Sequence, residues 1–251
     1  MKKVTLLCAM LLAVSAVGAN AAGLSLNWTN CAADGRAANK SSACTSSLGN
    51  AGTMVGTFDI PNDVNGATGI ELVLDLASAG TTLPAWWTTS CRTPFTMNAT
   101  IAGTAVNCFD WSSGTALGGL AAYTIGGVYG PSSARVLAGF AVPPPGVNVA
   151  ALAVIAPGAE YFAFNIVLSN LKTTGTGSCA GCLVPVCLSF NNLKMVAGTT
   201  TAAIVNTPQS PASNTVTWQG GAGVSSTLGG GCPAATPTRN ATWGSVKSLY
   251  R

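Results

Sequence analysis

Residues 160–196 read EYFAFNIVLSNLKTTGTGSCAGCLVPVCLSFNNLKMV, and this stretch decides the fold class of the chain. Large apolar residues occupy every second position from Phe162 to Leu168, which predicts a half-buried strand with one apolar face. The residues of that face are Phe162, Phe164, Ile166 and Leu168. A loop of small residues and cysteines follows, and Cys187–Val196 predicts a second strand that returns as a hairpin. A hairpin pinned by cysteines is typical of proteins that are stable outside the cell.

Similar alternation along the rest of the chain predicts an all-β domain. In Gly69–Ala77 the even-numbered apolar residues face the core, whereas Glu71 and Asp75 face water. The inward residues of this strand are Ile70, Leu72, Leu74 and Leu76; those of the next are Phe95, Met97 and Ile101. Further predicted strands are Met54–Phe58, Ala121–Ile125, Arg135–Val142, Val149–Ile155 and Val216–Trp218. About nine or ten strands between turns rich in glycine and proline predict a disulfide-stabilised β-sandwich or jelly roll.

The first residues have the pattern of a signal peptide. Lys2 and Lys3 precede an apolar run from Val4 to Val17, and Ala19-Asn20-Ala21 is a small-residue cleavage site. We therefore expect residues 1–21 to be removed and residues 22–251 to form one secreted β-sandwich domain with a tail at 240–251. The apolar run is shorter than the ~20 residues of a membrane span. We expect a secreted or extracellular protein without a membrane span, with the periplasm and the cell surface as alternatives.

Eight of the nine cysteines remain after loss of Cys8, and an even number in an exported chain predicts disulfides. They are Cys31, Cys44, Cys91, Cys108, Cys179, Cys182, Cys187 and Cys232. Nearest neighbours in sequence predict Cys31 with Cys44 and Cys91 with Cys108, and the last four cysteines allow three connectivities. The alternatives for the last four are a thiol redox motif at Cys179-x-x-Cys182 and a zinc site. Redox motifs normally open a helix, whereas this pair lies between predicted strands. A zinc site would leave the export signal and the even count unexplained.

The charge of the chain argues against nucleic-acid binding, and its residue types argue against most enzymes. The mature chain has nine basic and seven acidic residues, too small an excess for binding phosphates. Histidine is absent, which excludes Ser-His-Asp and Cys-His catalysis. Glu71 and Asp75 lie ~13 Å apart along one strand, beyond the ~5 to 9.5 Å used by glycosidases, and a pair that includes Glu160 is the remaining carboxylate option. We expect no enzyme, no cofactor and no metal.

Two binding hypotheses have weaker support. Asp59–Gly66 contains oxygen ligands suited to calcium, but Asn65-Gly66 is more simply a tight turn between strands. Exposed tryptophans stack on sugars, so a glycan-binding face would use one of Trp86 and Trp87, which point opposite ways on an extended backbone. Candidate contacts with a ligand or partner are Trp86, Trp87, Trp218 and Trp243.

The last twelve residues predict a short C-terminal helix. Asn240 or Thr242 is a capping residue, and the apolar residues that follow fall three or four positions apart. So short a helix is stable only when docked, either on its own sandwich or on a neighbouring subunit or sorting factor. We favour its own sandwich.

Several motifs together resemble a set of uncharacterised exported bacterial proteins that end in Trp-Gly-x-x-Lys-x-Leu-Tyr-Arg. The motifs are LPAWW (83–87), Cys91-Arg92, AAYTI (121–125), EYFAFN (160–165), CAGC (179–182), PVC (185–187), TWQG (217–220) and TRNATWGSVKSLYR (238–251). The resemblance implies an exported, disulfide-bonded domain and brings no activity with it.

These observations predict an extracellular structural or interaction protein without catalytic activity, such as a subunit of a cell-surface or extracellular assembly. Flat strands rich in Thr, Ala and Gly leave edges that pair with a neighbour, so the expected partner is another copy or a cell-surface protein. The alternative is a carbohydrate-binding module that uses exposed tryptophans.

Overall fold

The computed structural model describes residues 22–101, 107–126, 130–143 and 154–220. The predicted signal peptide, most of the predicted strand Val149–Ile155, Cys232, Trp243 and the tail with its predicted helix therefore lie outside the described residues. Within them the chain forms fourteen strands and two short 3-10 helices, η1 (Ala32–Asp34) and η2 (Ala85–Trp87). No helix in this part of the chain is long and apolar enough to cross a membrane. The all-β class is confirmed.

The strands form two main sheets and a two-stranded ribbon. The strands are β1 (Gly23–Trp28), β2 (Asn39–Lys40), β3 (Asn50–Asp59), β4 (Val64–Asn65), β5 (Ala67–Ser78), β6 (Phe95–Asn98), β7 (Phe109–Asp110), β8 (Leu117–Ile125), β9 (Ser133–Ala141), β10 (Val154–Ile155), β11 (Tyr161–Ser169), β12 (Val186–Ala197), β13 (Thr200–Val205) and β14 (Thr215–Trp218). The small sheet has the order β1-β3-β11-β6, with β7 also on β11. The large sheet has the order β2-β14-β12-β5-β9-β8, with β13 also on β12, and β4 pairs with β10.

The two main sheets pack face to face around one core, as in a sandwich. Phe164 of the small sheet meets Phe190 of the large sheet with ring centroids 5.0 Å apart. Burying such large side chains between the sheets is the main favourable contribution to folding. The inward positions predicted for β5 are confirmed, and so are Phe95 and Met97 of β6, since Ile70, Leu72, Leu74, Leu76, Phe95 and Met97 are all buried. Ile101 lies beyond the end of β6, is half-buried and packs with Cys31 and Phe162 outside the main core.

The predicted hairpin between residues 160 and 196 is wrong. β11 pairs with β3, β6 and β7 in the small sheet, whereas β12 pairs with β5, β13 and β14 in the large sheet. The loop between β11 and β12 therefore crosses from one sheet to the other. Its cysteines bond to distant loops instead of closing a hairpin.

A β-bulge also divides the predicted apolar face of β11. Phe162 lies opposite Thr57 and Phe164 lies opposite Gly56, so Ala163 is an extra residue in the strand. An extra residue moves every following side chain to the other face. Phe162 consequently packs outside the sandwich with Cys31 and Val55, while Phe164 enters the main core.

Three disulfides join six of the predicted cysteines, but not in nearest-neighbour order. The bonds are Cys31–Cys108, Cys44–Cys182 and Cys91–Cys179. The pairs Cys31–Cys44 and Cys91–Cys108 were wrong because sheet topology, and not sequence distance, decides which loops meet. Cys187 is also disulfide-bonded.

Candidate interaction surface

The tryptophans proposed as a binding face are buried. Trp86, Trp87 and Trp218 each have no exposed surface. The 3-10 turn η2 places Trp86 and Trp87 against each other, with centroids 5.0 Å apart, and Trp86 also stacks on Trp218 at 5.4 Å. An extended backbone was the wrong assumption for this pair, so neither is displayed to a sugar. Trp28 packs on Trp218 at 6.0 Å and completes a tryptophan cluster of Trp28, Trp86, Trp87 and Trp218.

Arg92 holds the loop around this cluster in place. Its guanidinium lies 3.6 Å from the Trp86 ring centroid and donates to the carbonyl oxygens of Trp86 and Ser169, each at 2.5 Å. It also donates to the carbonyls of Leu171 and Pro94. Burial lowers the pKa of Arg92 to about 10, so the side chain stays charged at neutral pH. Sequence reasoning missed this role, although a charge beside Cys91 in so uncharged a chain was a usable signal.

Two disulfides fasten the same region. Cys179 bonds to Cys91 and Cys182 bonds to Cys44, and the Trp218 indole donates to the Cys182 carbonyl at 2.7 Å. Because the two cysteines of the Cys-x-x-Cys segment have separate partners, they form neither a redox pair nor a zinc site. Within the described ranges no three His, Cys, Asp or Glu residues are grouped to hold a metal ion.

The two carboxylates of β5 have cationic partners. Glu71 is exposed, and Lys194 lies 3.0 Å from its Oε2. Asp75 was expected in water, yet it is fully buried. Arg135 binds both of its oxygens, at 2.8 and 2.9 Å, and Asn191 donates to Oδ2 at 2.6 Å. Asp75 does lie on the outer face of the sheet, but the Arg135 side chain covers it.

Glu160 binds backbone of its own chain. Its carboxylate accepts hydrogen bonds from the amides of Ala32 and Ala33, at 2.6 and 2.8 Å, and from Thr57 Oγ1 at 2.5 Å. These contacts satisfy free amides at the start of η1, which is a structural role.

The Asp59–Gly66 segment joins β3 to β5, and its residues Val64 and Asn65 form strand β4. Gly66 connects β4 to β5 with φ +62°, a conformation that favours glycine. Asp59 is buried and accepts from the Gly158 amide at 2.9 Å. Burial raises the pKa of Asp59 above its usual value, and the nearby Glu160 charge adds to this.

β8 has more exposed large apolar residues than any other described strand. Leu117 is 68% exposed, Leu120 43% and Ile125 41%, and Leu137 on the adjoining β9 is 40% exposed. The nine residues of β8 contain no charge and no proline. One edge of β8 pairs with β9, and among the described strands none pairs with the other edge.

A groove of about 630 Å³ begins beside this edge. Its lining includes Leu117, Gly118, Gly139 and Glu71. A side chain at Gly118 would meet the Gly139 carbonyl oxygen at 2.2 Å, and its φ is +136°. Glycine at this position therefore allows β8 and β9 to approach closely and keeps the groove floor free of side chains.

No protein-family model, no curated protein and no solved structure matches this chain. The class of protein consequently comes from the fold and its crosslinks. An all-β fold with three disulfides fits an extracellular protein, because disulfides persist in oxidising compartments.

Proposed function

We propose that this chain is an extracellular structural or interaction protein without catalytic activity, and that it joins a neighbouring β-sheet through the free edge of β8. The observation that carries the proposal is the combination of an edge with which no described strand pairs, exposed Leu117 and Leu120, and no charge along the nine residues of β8. The neighbour is another copy of the chain or a cell-surface protein.

The physical reason is that proteins normally protect such an edge. A strand at the end of a sheet presents unpaired amide and carbonyl groups, and lysine, proline or a covering loop usually prevents pairing with another chain. The nine residues of β8 include neither lysine nor proline, and no strand of the described ranges pairs with this edge. Strand addition would satisfy its backbone groups and bury its leucines in a single step.

The contacts of the carboxylates support the non-catalytic part of the proposal. Glu71 is paired with Lys194, Asp75 with Arg135, and Glu160 with the start of η1. No histidine exists to activate a nucleophile. Panels of glycosidic and peptide substrates should show no turnover, and activity that disappears in Glu160→Gln, with the fold intact by circular dichroism, would overturn this part.

The compartment belongs to the same proposal. The signal-peptide pattern, the even number of mature cysteines and the resemblance to exported bacterial proteins all favour secretion from a bacterium. Mass spectrometry of secreted material should find a mature chain that begins at Ala22.

The test of the β8 edge is a charge placed on it. Leu117→Lys with Leu120→Lys should abolish strand addition, because two lysines on an edge repel an incoming strand. Native material and the variant are compared by analytical ultracentrifugation and negative-stain imaging. The matched control is Leu48→Lys, since Leu48 is 83% exposed and lies outside every strand.

Two results would overturn the edge proposal. One is a purified native chain that stays monomeric at all concentrations and binds no cell-surface protein. The other is equal loss of assembly in the Leu48→Lys control, which would indicate a general charge effect. Glycan arrays test the carbohydrate alternative independently, and binding there would favour it.

A further inference from the structure

On the large sheet, some residues that point away from the sandwich core are nevertheless buried. In β12, Val186 and Leu188 enter the core, so Cys187 between them lies on the opposite face. Cys187 lies opposite Ala77 of β5 and Thr217 of β14. The exposed fractions of Ala77, Cys187 and Thr217 are 4%, 0% and 7%. This row of the outer face is shielded from solvent.

Further along the same strands the outer face is open. Glu71 and Lys194 are opposite one another, and Ile204 lies beside Lys194. Glu71 is exposed and Ile204 is 55% exposed. The row between them, Asp75, Ser189 and Thr215, is also buried, and Arg135 covers Asp75 there. The buried part of the outer face therefore extends over two rows, and the row at Cys187 requires a cover that the row at Glu71 lacks.

The bonding of Cys187 indicates which segment this is. Cys187 is disulfide-bonded, and the other six described cysteines bond to one another. Its partner is therefore Cys8 or Cys232, the two cysteines outside the described residues. Cys8 lies in the predicted signal peptide, which leaves Cys232 in the mature chain.

The position of β14 places the start of the following segment close to Cys187. β14 ends at Trp218, and its Thr217 is the direct cross-strand neighbour of Cys187. The chain therefore leaves the large sheet beside Cys187, the residue to which Cys232 would be bonded. We propose that residues 221–251 dock on the outer face of the large sheet and are fastened there by a Cys187–Cys232 disulfide within one chain.

Disulfide mapping of the full chain tests the covalent part. Trypsin leaves Cys179, Cys182 and Cys187 in one peptide, 173–194, so pepsin cleavage near Leu183 is needed to separate Cys187. The expected product joins the Cys187 fragment to a fragment that contains Cys232. A free Cys187, a different partner, or a disulfide dimer on a non-reducing gel that disappears in Cys232→Ser would overturn the proposal.

Thiol labelling tests the docking separately. In Cys232→Ser the Cys187 thiol is free, and a docked segment should make its reaction with a neutral maleimide at least roughly tenfold slower than in a chain ending at Gly220. The truncated chain serves as a reference only when circular dichroism shows it folded. A second reference is therefore Thr201→Cys in a Cys187→Ser/Cys232→Ser background, since Thr201 is exposed. A Cys187 thiol that reacts as fast as either folded reference would overturn the docking.

Discussion

Large apolar residues are buried in the tryptophan cluster and exposed at the β8 edge. In the cluster four indoles are buried, Arg92 binds the surrounding carbonyls, and two disulfides fasten the adjoining loops. At the edge Leu117 and Leu120 are exposed, and no disulfide or salt bridge of the described residues reaches β8. We expect stability to depend on the tryptophan cluster, and under the proposed function the β8 edge contacts a partner.

Arg92→Ala should have the largest effect on stability. We expect the free energy of unfolding to fall by roughly 3 to 5 kcal/mol, because several buried carbonyls lose their donor and Trp86 loses its cation. Arg92→Lys keeps the positive charge but lacks the planar guanidinium with its several donors, and its free energy of unfolding should fall by less than that of Arg92→Ala. Urea denaturation followed by tryptophan fluorescence measures both. Native stability in Arg92→Ala would show that the cluster does not depend on this side chain.

The double substitution Cys91→Ser with Cys179→Ser should have the second-largest effect on stability. Loss of this bond is expected to cost about 2 to 4 kcal/mol, because the unfolded chain gains freedom over a long loop. Chemical denaturation measures the loss, and ultracentrifugation should show assembly unchanged in the folded fraction. If assembly disappears while the variant remains folded, the two regions are not independent.

Tyr123 connects the two regions and should have a moderate effect. It lies on β8, and its hydroxyl donates to the Trp87 carbonyl at 2.6 Å. Tyr123→Phe removes this bond and should cost about 1 kcal/mol at pH 7. Thermal denaturation gives the change, with assembly measured in parallel.

The same tyrosine predicts a pH dependence. Burial raises the pKa of the Tyr123 hydroxyl above its usual range. Above about pH 10 the unfolded chain therefore loses this proton while the folded chain keeps it, and stability falls as pH rises. Melting temperatures between pH 8 and 11 should decline less steeply in Tyr123→Phe. Identical slopes would mean that the hydroxyl is not shielded.

Leu120→Thr should have the smallest effect. A surface substitution of this kind is expected to change stability by no more than about 0.5 kcal/mol. Leu83→Thr is the matched comparison, since Leu83 is buried just before η2, and it should cost about 2 kcal/mol or more. Equal losses by calorimetry would remove the contrast between the two regions.

The sequence predicted those strands in which apolar and polar residues alternate without interruption. β5 was predictable because Ile70 to Leu76 alternate without a bulge on their inward face. β11 was predictable as a strand, but the face of Phe162 was not, since the bulge at Ala163 has no signature in the sequence. The first half of β8 was missed because Gly118 and Gly119 are poor strand formers.

Features that depend on topology could not be read from the sequence. The disulfide partners of Cys44 and Cys91 lie in the loop between β11 and β12, and only the sheet order brings these loops together. The burial of Trp86 with Trp87 required a helical turn after Pro84, where an extended chain was expected. The sequence placed Asp75 on the correct face of β5. Its burial, however, depends on Arg135 of β9, a strand that pairs with β5 but lies far from it in sequence.

The order of the three disulfides has a consequence for biogenesis. No described bond joins cysteines that are consecutive in the chain, and Cys31–Cys108 interleaves with the other two. An oxidase that links thiols as they emerge during export would first join Cys31 to Cys44, a pair that the folded protein does not contain. Where that pair forms first, the native bonds require thiol-disulfide exchange, and we expect the yield of native protein then to rise with a disulfide isomerase or a glutathione buffer.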